Sequence, residues 1–204
     1  MFTPKKSLIS VAALFALSAC ANPPHQTHGV TMNHPSEPPS AENNYNNPVI
    51  NAEQALKGVL KLLENLRDYN ELSLARIKAE TGIQLRPYAP PETGFSFGAN
   101  LTEQWNYAMD LFQAPNSKPS FIFDFFETEA FSEKNPPRTD ICHLDLDQFH
   151  GALLNMGYEH VSSRRYSSPA RQYRRGEIWV DIIYVGESRE KVTHDCIKTI
   201  RIKR

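Results

Sequence analysis

Between Ala21 and Asn51 the chain carries Pro23, Pro24, Pro35, Pro38, Pro39 and Pro48 among seven asparagines, with almost nothing to bury. Ordering such a stretch costs about 1–2 kcal/mol of backbone entropy per residue, which its few apolar side chains cannot offset. Disorder is therefore the expectation for residues 20–51, as a tether about 30 Å from end to end if it behaves as a random coil. His25, His28 and His34 fall within it and read as solvated linker residues. The folding problem shrinks to residues 52–204, a length suited to one domain with one core. Hydrophobic residues at 40% and charged residues at 22% agree with an ordinary globular body.

The segment before the tether constrains location. Lys5 and Lys6 precede an apolar run from Leu8 to Ala19 of about twelve residues, too short to span a bilayer, which takes about twenty as a helix. This is the layout of a secretory signal peptide over residues 1–19. It closes on Leu17-Ser18-Ala19-Cys20, which resembles the lipobox of bacterial lipoproteins. The resemblance covers the leader alone. It implies cleavage before Cys20, a diacylglycerol on the Cys20 sulfur and an acyl chain such as palmitate on its amine. Several chains on one residue anchor firmly, because each buried methylene contributes about 0.8 kcal/mol. Ala21 stands where an Asp commonly retains such lipoproteins in the inner membrane. The resemblance thus implies the outer membrane, with the body facing the periplasm.

Loss of Lys5 and Lys6 leaves 20 Lys and Arg against 23 Asp and Glu, a net charge of −3. The distribution is uneven: residues 102–147 sum to −6 and residues 159–204 to +5. A bipolar surface suits a protein partner or an anionic polymer better than duplex DNA, and the export signal further disfavours nucleic acid. Cross-strand ion pairs are the alternative, since they would cancel the asymmetry inside the fold.

Apolar spacing predicts a helix over residues 52–66 and a second over 71–81, ended by Gly82. Asn100 and Glu103 read as a capping box opening a third helix, with Trp105, Ala108, Met109 and Phe112 inward. Alternation over Ser120–Phe126 predicts a strand buried on both faces. Asp145 and Gln148 form the clearest capping box in the chain, starting a helix that Gly157 ends. Strand-like segments follow at 159–166, 171–175, 177–185 and 196–203. The expected fold class is α+β, with N-terminal helices followed by an antiparallel sheet.

Of three cysteines, Cys20 is assigned to lipid. Outside the cytoplasm the remaining two, Cys142 and Cys196, are expected to form a disulfide. The alternative, Cys142 as a nucleophile beside His143, is weakened because adjacent residues of an extended segment point oppositely. Asp140, His143, Asp145, Asp147 and His150 could together hold a divalent ion, but their spacing matches no metal motif. The chain carries no nucleophile elbow, phosphate-binding glycine loop or dinucleotide fingerprint, so no cofactor is expected.

The basic segment Arg164, Arg165, Tyr166, Arg171, Tyr173, Arg174 and Arg175 mixes guanidinium forks with phenols. Such a composition suits carboxylates, phosphates or an acidic protein surface, and these seven residues are the candidate partner-binding set. The sober alternative is a soluble hairpin whose arginines pair with Glu177, Asp181 or Glu187. The expectation is a lipid-anchored envelope protein without catalysis, contacting another protein or an anionic polymer. An immunity protein neutralising a periplasmic toxin, and a small metal-dependent hydrolase, are the other readings.

Overall fold

The structure, a computed structural model, describes residues 46–88, 93–113, 116–132, 134–161, 169–188 and 193–204. The expected signal peptide, Cys20 and nearly all of the expected tether lie outside these residues, as do Arg164, Arg165 and Tyr166. The described residues belong to one unit, Asn44–Arg204. Among the described residues no helix is long and apolar enough to cross a membrane.

Two helices open the body, α1 (Ala52–Asn65) and α2 (Leu74–Thr81). Asn51 accepts from the Gln54 amide while Gln54 reaches back to the Asn51 amide, so a capping box starts α1. Gly82 closes α2 at φ +75°, a conformation that a Cβ would strain. Strands β1 (Arg86–Pro87), β2 (Gly94–Asn100), β3 (Trp105–Phe112) and β4 (Ser120–Glu127) follow. Then come α3 (Leu146–Asn155) and strands β5 (Glu159–Val161), β6 (Ala170–Arg175), β7 (Ile178–Gly186) and β8 (Asp195–Lys203). The class is α+β, with three helices and an eight-stranded antiparallel sheet. The helices do not all precede the strands, because α3 stands between β4 and β5.

The strand order is β1-β2-β3-β4-β8-β7-β6-β5. Each half is a meander whose last strand lies at the centre, where β4 pairs antiparallel with β8. The two halves are thus related in topology as by a two-fold axis through the β4/β8 seam. The core occupies one face of the sheet. Tyr107, Met109, Phe121, Phe123, Ile200, Ile202, Val180 and Ile182 line it, packed with Leu56, Val59, Leu63, Phe149 and Leu153 of the helices.

The third helix expected from residue 100 is instead the β2–β3 hairpin. Thr102 accepts from the amides of Gln104 and Trp105, bending the chain into a turn. Trp105, Tyr107, Met109 and Leu111 then point inward at every second position. Residues 105, 109 and 112 sit at helical and strand-like intervals in part alike, and pairing with β2 and β4 on both sides settles the period at two. The strand expected over 120–126 is β4, but it is buried on one face only: Phe121, Phe123 and Phe125 face the core, while Ile122 is half-buried and Phe126 is 37% exposed on the other side. α3 starts on the Asp145–Gln148 capping box and is followed by Gly157 at φ +81°, as the spacing predicts.

Cys142 and Cys196 form a disulfide, with Cα atoms 4.7 Å apart. It ties the approach to α3 to the start of β8 across 54 residues of sequence.

Candidate functional site

β6 is the strand through which the basic segment can be read, and its alternation divides the four described candidates. Tyr173 and Arg175 point with Arg171 to the helix-covered face, while Arg174 points to the other. Arg175 is tied to helix ends. Its guanidinium donates to the carbonyls of Leu63 at 2.7 Å, Leu66 at 2.5 Å and Met156 at 3.0 Å, so it satisfies the C-terminal carbonyls of both α1 and α3. It also stacks 4.3 Å over the Tyr158 ring, whose hydroxyl donates to the same Leu63 carbonyl. Burial pushes the Tyr158 phenol up to about 12. Arg175 is engaged in holding the fold rather than displayed.

Tyr173 is fully buried as well. Its hydroxyl lies 2.9 Å from Nδ1 of His150, on α3, and is also hydrogen-bonded by Arg171. Burial raises the Tyr173 phenol above its ordinary range, against the lowering pull of Arg171. Directly across the strand pair from Tyr173 stands His160, on the edge strand β5. Its ring centroid is 5.9 Å from that of His150 and 5.4 Å from that of Tyr173.

Arg171 completes the cluster. It lies 3.2 Å from Asp147, one helical turn before His150, and 5.8 Å from the Tyr184 ring of β7. The Asp147 side chain is 86% exposed and that of Arg171 28% exposed, so this ion pair faces water. Burial, then the neighbouring His150 and Arg171, hold the His160 imidazole below its usual value. The outcome is a patch of one guanidinium and two imidazoles from α3, β5 and β6 at the β5 edge of the sheet. Around the edge, exposed Arg174 stacks 5.2 Å over Trp179 and donates to the Gly176 carbonyl.

The polar run from Asp140 to His150 is split by the fold. Asp147 and His150 join the Arg171 cluster, whereas Asp140 and His143 line a shallow cleft with Asn51, Glu53 and Thr102 beside the start of α1. Asp145 caps α3 and meets His194 at 3.2 Å. Among the described residues no group of three or more His, Cys, Asp or Glu side chains is placed to hold a metal ion. Charge from the acidic middle and the basic end meets in two pairs, Arg171 with Asp147 and Lys198 with Glu127 at 3.7 Å. Part of the bipolar pattern is therefore cancelled within the fold. Of the partners named in the sober reading, Glu177 meets Arg204 and Asp181 meets Lys203 and Gln172 among the described residues.

His160 and Tyr184 were absent from the sequence candidates. The hairpin register that sets His160 opposite Tyr173 would have found His160, but the length of the intervening loop leaves that register open in the sequence. No family model matches the chain, and no curated protein or solved structure matches it either.

Proposed function

We propose that the protein is an exported lipoprotein, anchored through Cys20 to the outer membrane, whose body binds an acidic envelope protein or anionic polymer without catalysing a reaction. The observation that carries the binding half of this reading is the Arg171 patch. It gathers a guanidinium and two imidazoles from three elements at one solvent-facing edge, with the Arg174–Trp179 stack on the opposite face of the same strand. Arginine beside aromatic rings is the composition of binding anchors. The leader resemblance supports the location, and a disulfide is in keeping with an oxidising compartment.

Of the seven candidate residues, the proposal now rests on Arg171 and Arg174, because Arg175 and Tyr173 are taken up inside the body. Charge reversal of both, Arg171→Glu with Arg174→Glu, is expected to abolish capture of envelope partners by the purified lipoprotein while leaving near-ultraviolet circular dichroism unchanged. Undiminished capture by a folded double variant would remove this surface from the account.

A further inference from the structure

Resting on that reading, we propose that Arg171, His150 and His160 form a binding site for an oxyanion of the partner, a phosphate or carboxylate group, and that the site tightens as the imidazoles take up protons. Among the described residues the titratable groups facing one another are Asp147 and His150 on α3, His160 on β5, Arg171 and Tyr173 on β6, and Tyr184 on β7. Glu159, next to His160, points to the opposite face with Arg174.

Three features of the geometry point to an anion. First, a guanidinium and two imidazoles come together from three elements, with the His150 and His160 rings 5.9 Å apart and Arg171 near enough to act on His160. Second, the patch already holds a carboxylate. Asp147 sits 3.2 Å from Arg171 on a side chain that is mostly in water. An exposed pair of this kind is weak, so an incoming oxyanion displaces it readily. Third, protonating one imidazole beside the other and beside a guanidinium is opposed by repulsion, which an anion in the patch would relieve. Binding and proton uptake are then linked: whatever raises the histidines' proton affinity binds more tightly where they are charged.

Sulfate is the suitable probe, since its charge stays constant over the range in which histidine titrates. The full lipidated chain in detergent micelles would be titrated with sulfate at about pH 8 and about pH 6, on either side of the usual imidazole value, following the histidine ring signals by nuclear magnetic resonance. The expected result is movement of the His150 and His160 signals, with affinity at the lower pH greater by about ten-fold, as one charge-linked decade implies. Arg171→Gln should remove the effect. Asp147→Asn, an exposed change that spares the fold, should tighten binding by about two- to five-fold. A parallel acetate titration tells a carboxylate from a tetrahedral oxyanion, and either ligand with this pH dependence upholds the site. Stationary His150 and His160 signals, equal affinity at both pH values, or no gain in Asp147→Asn would overturn it. Should the rings stay unmoved while charge reversal at Arg171 and Arg174 still abolishes capture, the oxyanion site falls and the broader surface stands.

Discussion

Replacing Arg175 by Ala should unfold the body far more readily than replacing its neighbour Arg174, although both are arginines of one strand. Arg175 donates to three carbonyls at helix ends and lies over Tyr158, whereas Arg174 stacks on Trp179 and bonds only its local turn. A hydrogen bond to a charged group contributes about 1.5–3 kcal/mol net. The three are not additive: the Leu63 carbonyl keeps the Tyr158 hydroxyl, and water can reach part of the space vacated. The loss of the Leu66 and Met156 bonds, with their favourable placement at two helix C-termini, sets the expected cost of Arg175→Ala at about 3 kcal/mol. For a domain of this size that corresponds to a fall in Tm of roughly 6–12 °C. Urea unfolding followed by tryptophan fluorescence is the assay, because Trp105 is fully buried and donates to the Pro137 carbonyl. Arg175→Lys should recover only part of the loss, since an ammonium cannot fork to carbonyls of two helices. Arg174→Ala should cost about 0.5 kcal/mol or less, as exposed substitutions do. A cost below about 1 kcal/mol for Arg175→Ala, or equal costs at the two positions, would refute the assignment of Arg175 to helix capping.

Two further outcomes follow from the packing. Removing the disulfide with paired Cys142→Ala and Cys196→Ala should lower stability by about 2–4 kcal/mol, as expected for a link across 54 residues; a loss under about 1 kcal/mol would mean that the crosslink constrains little. Because the folded state holds His160 below its usual imidazole value, the unfolded chain takes up its proton first. The stability it contributes is present above about pH 6.5 and is lost as pH falls through the lowered folded value. His160→Gln should flatten that part of the stability profile, and an unchanged slope would count against the assignment.

What the sequence made legible was local. Capping boxes at Asp145 and the glycines at 82 and 157 fixed helix ends because their causes lie within a few residues. The disulfide was legible from cysteine arithmetic joined to the resemblance of the leader to an export signal. The misread segment, 100–112, failed for a physical reason: Trp105, Met109 and Phe112 fit a helical stripe, and only the neighbouring strands decide otherwise. The candidate site divides in the same way. Composition pointed to the arginines, but nothing local distinguishes Arg175, bonded to the ends of two helices, from Arg171, paired with exposed Asp147. The meeting of His150 with His160 depends on how α3 lies across β5 and β6, which no spacing encodes.

The central claim is that the Arg171 patch meets a partner in the envelope. Histidine-selective labelling with mass-spectrometric readout, comparing the protein in intact envelope with the same protein in detergent, decides it. The account predicts that His150 and His160 are protected in the envelope, that His143, on the cleft beside α1, is labelled equally in both, and that protection disappears with Arg171→Glu and Arg174→Glu. Equal labelling of His150 and His160 in envelope and detergent would contradict it.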